Sequence, residues 1–587
     1  MLAGSADGRI EMSRTLFWYV FKNLFRVFMA AVGIIAAIMT FGGLLKPLTE
    51  GGLQLAQVGQ ILAFATPAMW TYALPIGALF ATSIVYGRLA ADNEVTAIRA
   101  AGISLGPLGL GMPALVMGLI CAVFSVISLS VIVPAASLRV ERTIVSNIGQ
   151  FVVNRIEQQH QVRLQQPGGQ APLTVYARSA TLGKPDPESP NEQVVIMTDV
   201  SIVTYEDEGK DKDKKLQVPD EFYIASEARA YIRQPDYENS DEDPVLFRAS
   251  LTRGMKFPRT TIGRSENAIA GGVGGLQFGP FELRSPLREN TKFMDIRRLK
   301  QLLEQPEKSR RMSEMLRGFI RADQQREYLL SLQKELTYGL GVVKFKALNG
   351  DEFTLQPGTL APVIERNRLV LGTASGGARE SVRLIHRRKN AAWIESIARE
   401  AHLRVFPDTD EKRLAVAVEL HDTIVRGPDY ENPLLSFERN FNIAMPTPVL
   451  AIASRSARHY LADTTNILPD QKRSLQRAQM KQENSVISEM HSRASFGISC
   501  LVLTMVGYGL GVMFKSGNYL TAFAVSVVPA LMSIVLIVTG QHICENVPQD
   551  IGPNFQNPLQ LGLIVIWAGN AFVLGLAVVL LVRLRRT

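Results

Sequence analysis

Long uninterrupted apolar runs lie toward the two ends of the chain, and short alternating runs fill the middle. Six stretches contain no internal Asp, Glu, Lys or Arg: Val27–Leu45, Leu62–Tyr86, Leu108–Val133, Phe496–Phe514, Tyr519–Gly540 and Leu559–Val582. Crossing ~30 Å of hydrocarbon takes about 20 apolar residues at 1.5 Å rise each. Each stretch therefore predicts a membrane-spanning helix, three before the middle segment and three after it. Buried helices of a water-soluble protein are the competing reading, and six runs of this length and purity argue against it. The first run is too long for the apolar stretch of a signal peptide and no small-residue cleavage site leads out of it. Just ahead of it, Leu16–Phe25 mixes aromatic residues with Lys22, between Arg14 and Arg26, and reads as an interfacial helix feeding the first span.

Between the runs the period drops to two, the mark of half-buried strands. Strands are predicted at Leu173–Ala180, Val194–Thr204, Phe222–Ala230, Val245–Leu251, Val342–Leu348, Leu369–Gly372, Leu403–Phe406 and Leu414–Leu420. Turn chemistry separates them at Asn349-Gly350 and at Pro407–Asp410. The charged stretch Glu206–Lys215 is most simply a solvated loop, and Gly271–Gly275 a flexible one, because it lacks the strand–loop–helix setting of a phosphate cradle. Helical periodicity interrupts the strands at Met294–Leu303 and Met312–Leu336, and a polar helix, roughly Gln471–Arg493, runs straight into the fourth span. That helix reads equally as a spacer or as a rigid lever.

Composition sharpens this plan. With 47% hydrophobic and 20% charged residues in 587, intrinsic disorder is excluded as the general description. Cys121, Cys500 and Cys544 cannot make a disulfide framework, and no Cys or His pair has zinc spacing, so no metal site is expected. The net charge of +9 is not gathered into an aromatic-studded patch, so nucleic acid is not the expected partner. Basic residues instead flank spans: Arg9, Arg14, Lys22 and Arg26 before the first, Lys515 between the fourth and fifth, and Arg583, Arg585 and Arg586 after the sixth. The connection Gln541–Pro558 has no Lys or Arg. The positive-inside rule then places both termini in the cytoplasm and Pro134–Ser495 outside it.

Motifs for catalysis are missing from the sequence. GxxxxGK[ST], HExxH and GxSxG do not occur, and His421-Asp422, the nearest thing to a catalytic pair, consists of strand neighbours that point to opposite faces. No enzyme is expected. One cytoplasmic connection stands out: Gly87–Gly106, GRLAADNEVTAIRAAGISLG. Helix formers run from Leu89 to Ala101, with Gly102 as a C-terminal stop. On one helix Leu89, Val95, Ile98 and Ala101 share a face, which leaves Asp92, Glu94 and Arg99 to a partner. A bland loop between spans needs no three-turn amphipathic helix, whereas a docking helix for a soluble motor does.

These residues resemble the second span and coupling helix of the LptF/LptG (YjgP/YjgQ) permeases of lipopolysaccharide export. The similar features are Leu74-Pro75, Gly87-Arg88-Leu89, Glu94 and Arg99-Ala100-Ala101-Gly102-Ile103-Ser104. A second stretch of resemblance lies at span four: Glu489, His491 and Arg493, then Gly507, Gly509 and Gly511 and the basic turn Lys515-Ser516-Gly517. The resemblance implies an inner-membrane permease that pairs with a second LptF/LptG-type subunit. It also implies a cytoplasmic LptB-like ABC ATPase dimer that supplies the ATP hydrolysis, so that this chain binds no cofactor itself. The cargo would be lipopolysaccharide or a similar glycolipid, handed to a periplasmic β-jellyroll protein of the LptC/LptA kind. Arg88, Asp92, Glu94 and Arg99 would be coupling residues, with Lys46 facing lipid phosphate or, more simply, snorkelling to the interface.

The expected fold is thus a membrane all-α part of 3+3 helices with an extracytoplasmic β-jellyroll-like domain and a helical insertion. Its expected segments are 1–133 with a coupling helix at 88–102, a β domain at 134–290, the insertion at 291–338, further β structure at 339–465, a connecting helix at 466–495 and the last three spans at 496–587. The external segment exceeds a single jellyroll of that family. A mechanotransmission subunit that relays ATPase motion to an external domain, moving no lipid, is the alternative, and a scaffold for a periplasmic assembly is a third.

Overall fold

In the computed structural model, residues 14–586 are described apart from 51–54, 165–172, 185–191, 209–215, 234–244, 259–268, 272–275, 284–289, 340, 366, 373–380, 388–392, 408–412, 428–429, 463–468, 515–518 and 549–555. The Pro407–Asp410 turn beyond Pro407, most of Gly271–Gly275 and residues 209–215 of Glu206–Lys215 lie outside the described residues, while Glu206–Glu208, expected as loop, continue a strand paired along Leu216–Val218. The chain divides into two units, each assembled from separate stretches of sequence. The first holds 1–144, 285–312 and 467–587; the second holds 145–284 and 313–466.

Six helices of the first unit are long and apolar enough to cross a membrane. Its helices are α1 (Arg14–Glu50), α2 (Leu55–Ala91), the short α3 (Glu94–Ala100), α4 (Met112–Ile127), α5 (Val133–Ser146), α7 (Ile296–Glu304), α11 (Pro469–Met513), α12 (Tyr519–Glu545) and α13 (Leu559–Arg586). The expected interfacial segment Leu16–Phe25 is the first part of α1, continuous with the span. Likewise the polar stretch before span four and the span itself are one helix, α11, of 45 residues. A π-type turn at Ser128–Ile132 joins α4 to α5, and there the Ser128 hydroxyl meets Thr71 Oγ1 of α2 at 2.5 Å.

In hydrocarbon, apolar side chains gain nothing by leaving lipid for one another, so helices associate through close packing and polar contacts. Both are present. Gly507 and Gly511 of α11 abut α2, where a Cβ on Gly507 would collide with Thr82 Oγ1 and stand 2.8 Å from the Leu79 carbonyl oxygen. Farther up α11, Arg493 Nε donates to Glu489 Oε1 at 2.8 Å, and Gln541 of α12 donates to Glu489 Oε2 at 2.8 Å. The second Arg493 nitrogen donates to the carbonyls of Thr291 and Met294 at 3.0 and 2.7 Å. That fastens the segment 290–312 to α11, where Leu299 and Leu302 of α7 also pack on Val486. The rim is apolar: Ile34 and Ile38 of α1, Val123 and Ile127 of α4, Val535 of α12 and Val579 of α13 are exposed, as lipid contact requires.

The second unit contains α6 (Ile148–Gln159), α8 (Arg310–Tyr338, entering it at Ser313), α9 (Thr447–Leu450), α10 (Ala457–Leu461) and seventeen strands. The first nine are β1 (Gln161–Leu164), β2 (Leu173–Tyr176), β3 (Ser179–Leu182), β4 (Glu192–Glu208), β5 (Leu216–Arg233), β6 (Val245–Thr252), β7 (Met255–Pro258), β8 (Ile269–Gly271) and β9 (Leu276–Leu283). The other eight are β10 (Val343–Lys346), β11 (Glu352–Gln356), β12 (Val363–Glu365), β13 (Arg368–Gly372), β14 (Val382–Arg387), β15 (Trp393–Pro407), β16 (Arg413–Gly427) and β17 (Tyr430–Ala444). The stretch Leu173–Ala180, expected as one strand, is split between β2 and β3, and both pair with β4.

Pairing is antiparallel throughout each group. β1–β2–β4–β5–β6–β9 form the body of the first, with β7 on β5 and β8 on β7. β10–β11–β14–β15–β16–β17 form the second, which curls until Ala347, just after β10, bridges Ile443 of β17. One short parallel pairing, β8 with β17 at Ala270–Phe437 and Gly271–Glu438, joins the groups. Each group encloses its own apolar core. Val195, Met197, Ile202, Phe247 and Phe278 meet Ile156 of α6 in the first; Phe345, Leu355, Leu403, Val418 and Leu420 meet Leu329 and Leu332 of α8 in the second.

Candidate functional site

The polar corner after α2 is built differently from the single helix Leu89–Ala101 that its sequence predicts. α2 runs on to Ala91, the chain turns at Asp92-Asn93 with Asn93 in the left-handed region at φ 59°, and α3 occupies only Glu94–Ala100. Asn tolerates that conformation better than other non-glycine residues, which accounts for the break at this place. The stop at Gly102 is as expected. At φ 85° its N–H donates to the Arg99 carbonyl at 2.9 Å, and the Ile103 N–H donates to the Ile98 carbonyl at 3.3 Å. This pair of bonds is the Schellman termination, which suits glycine because it has no Cβ to strain.

One side of the corner is anchored. Leu89, Ala90 and Val95 are buried in the core of the helical unit and Ile98 packs against it. The connector that follows is clamped by two tyrosines: Tyr86 Oη donates to the Leu110 carbonyl at 3.1 Å and Tyr508 Oη to the Leu105 carbonyl at 2.8 Å. Their rings stack edge to face at 4.7 Å. The other side is charged. Arg88 Nε lies 3.6 Å from Asp92 Oδ2, across the bend, with both side chains largely exposed. An exposed pair of this kind contributes little stability, so its charges stay available to a partner. Glu94 opens α3 and the exposed Arg99 closes it, and no ion pair joins them among the described residues. The corner thus brings together Arg88 and Asp92, and sets Glu94 and Arg99 at opposite ends of a seven-residue helix. The Lys46 side chain and Lys515 lie outside the described residues. At the second stretch of resemblance, Glu489 and Arg493 form the buried pair described above, while His491 Nδ1 accepts from Trp567 Nε1 at 3.2 Å.

In the strand-rich unit a cluster of buried charge went unread in the sequence. Lys256 Nζ of β7 lies 2.9 Å from Glu221 Oε1 of β5 and 3.3 Å from Glu419 Oε1 of β16. Arg404 of β15 also pairs with Glu419, and its guanidinium stands 3.8 Å from Glu438 of β17. Tyr223 Oη donates to Glu221 Oε2 at 2.5 Å. Burial pushes both Glu221 and Glu419 upward. The cations outweigh it, Lys256 first for Glu221 and Arg404 first for Glu419, and hold both carboxyls below the ordinary range. For Glu438 burial wins over Arg404 and Lys256, and its carboxyl is raised. A signal was present in β16. Leu414, Val416, Val418 and Leu420 take the apolar face, and the other carries Ala415, Ala417 and then Glu419. A face with two alanines is no solvated face, so a carboxylate beside them needs a partner.

No curated protein matches the chain in sequence. Residues 14–159, which hold the first three membrane-spanning helices and the whole α2–α3 corner, match the family model described as lipopolysaccharide export system permease LptF/LptG, the family that the corner's residues resemble.

Proposed function

We propose that this chain is the membrane permease subunit of an ABC-type exporter that lifts lipopolysaccharide, or a similar glycolipid, out of the inner membrane toward a periplasmic jellyroll bridge. The family match supports the permease reading. The observation that carries the mechanism is the α2–α3 corner, anchored by Leu89, Ala90 and Val95 and charged on its outer side by Arg88, Asp92 and Arg99. A lipid with several acyl chains costs ~0.8 kcal/mol per CH₂ to withdraw from the bilayer, so extraction needs an energy source. The sequence has no nucleotide-binding motif, and a cytoplasmic ATPase dimer gripping this corner supplies the work. The two tyrosine clamps pass its motion to α2 and α11, the two most buried of the six spans. On this reading both termini and the corner are cytoplasmic, the strand-rich unit is periplasmic and receives the lipid, and a second six-span subunit completes the cavity.

Glu94→Lys tests this reading. The variant should insert and fold as the wild type does, yet the complex copurified with its ATPase should lose ATP-driven lipid release. Normal hydrolysis and export by that complex would remove the corner from the coupling path.

A further inference from the structure

A group of side chains on β15 and β16 has a chemistry that export of a lipid does not use. His402 faces Glu419 across the strand pair, and Glu400 faces His421 one step along. All four therefore project from the same side of the sheet, opposite the face that carries Leu403, Val418 and Leu420 into the core. One donor atom each from His402, Glu419 and His421 falls within 4.8 Å of the others. The imidazole rings meet at 61° with centroids 4.9 Å apart. His402 Nδ1 and Glu419 Oε2 stand 4.0 Å from each other, beyond a direct hydrogen bond. The three donor atoms thus lie close enough together to share one cation.

Their surroundings are those of a ligand set. Glu419 is buried, and its Oε1 is occupied by Arg404 and Lys256, which leaves Oε2 toward the histidines. His402 Nε2 contacts Glu400 Oε1 at 2.6 Å, so a carboxylate orients the ring from behind and leaves Nδ1 to the front. Both histidines are partly open to solvent, which gives a cation a way in. Charge points the same way. Glu221, Glu400, Glu419 and Glu438 supply four carboxylates to this neighbourhood, against the three cations Lys256, Arg404 and Arg368.

We infer that His402, Glu419 and His421 form a binding site for a divalent cation of the zinc type, with Glu400 as the orienting partner of His402. Two imidazoles and one carboxylate suit Zn²⁺ and its borderline neighbours, whereas Mg²⁺ and Ca²⁺ take all-oxygen shells. Zinc at ~2.0–2.2 Å from nitrogen and oxygen sets donors about 3.4 Å apart in a tetrahedron, so His402 and Glu419, now 4.0 Å apart, would close by about 0.6 Å, and no pair of the three, all within 4.8 Å, by more than about 1.4 Å. Three protein ligands leave the fourth position to water. A cation there would tie β15 to β16 and stabilise the strand-rich unit by mass action.

Cobalt provides the test, because its visible bands report nitrogen ligands and coordination number. The full chain, purified in detergent and stripped with EDTA, should bind one equivalent of Co²⁺ with four-coordinate bands, and Zn²⁺ should displace it. His402→Asn and His421→Gln should each abolish saturable binding while the far-ultraviolet circular dichroism stays that of the wild type. Glu400→Gln should retain the bands and weaken affinity by about 10–100-fold. Should either histidine variant misfold, Glu400→Gln alone still decides, since a merely structural carboxylate would leave cobalt affinity unchanged. The site is refuted if the wild type binds no more Co²⁺ than the double histidine variant, or if equimolar Mg²⁺ displaces the bound ion.

Discussion

Both units bury charged side chains, and they do so by opposite routes. In the helical unit Glu489 and Arg493 are four residues apart on one helix, and the arginine's Nη2 donates to the backbone carbonyls of Thr291 and Met294. In the strand-rich unit Lys256 reaches Glu419 across 163 residues of chain, and the cluster draws on β5, β7, β15, β16 and β17. The first arrangement forms as soon as α11 forms and then recruits a passing segment. The second exists only when both strand groups have closed on each other, so it reports on that closure and on little else.

Removing one partner tests that difference, and the larger effect belongs to the non-local cluster. Lys256→Met leaves Glu221 and Glu419 buried with Arg404 as their one remaining close cation. Stranding a buried charge costs about 3–5 kcal/mol, and the loss should appear as a lowered denaturant midpoint for the strand-rich unit in the purified chain. A change under about 1 kcal/mol would mean that water reaches the cluster and the charges are not holding the strand groups together.

Arg493→Met should do less. The helix persists without its i,i+4 pair, Gln541 still donates to Glu489, and α7 keeps its apolar seat on Val486. One carboxylate loses its cation here, against two beside Lys256, so the cost should fall near the lower end of that range, about 3 kcal/mol. The expected signature is faster protease cleavage between residues 290 and 312, with the six spans still inserted. Equal destabilisation of the two units by the two substitutions would erase the distinction between local and non-local burial.

The same distinction explains what the sequence made legible. Membrane helices are read from composition over about twenty residues, so all six emerged with their order, and α11 could be seen as one polar helix running into a span. Strands with a clean period of two, such as β4 and β16, emerged as well. β8 and β12 did not, because three residues are too short for a period of two to show. β17 was hidden by Pro433, a residue that argues against the interior of a strand. The charged side chains of the corner were legible too, because they adjoin the span that positions them. The Lys256 cluster and the His402–Glu419–His421 group were not. Their members meet through strand register and the pairing of distant strands, which no spacing along the chain encodes.

The corner supplies the smallest predicted effect and the most selective one. Its bend rests on two left-handed residues, Asn93 at φ 59° and Gly102 at φ 85°. An L-residue with a Cβ pays about 1–2 kcal/mol in that conformation, and asparagine adopts it more readily than branched residues. Gly102→Val should therefore loosen the end of α3 without disturbing the spans, whereas Gly102→Asn should leave it nearly intact. Because Leu89 and Val95 remain buried in either variant, the thermal midpoint should barely separate them. Partner-stimulated ATP hydrolysis should separate them clearly, with the asparagine variant close to wild type and the valine variant depressed. If both behaved alike in that assay, the shape of this turn would be irrelevant to the motor, and recognition would rest on the charges of Arg88, Asp92, Glu94 and Arg99 alone.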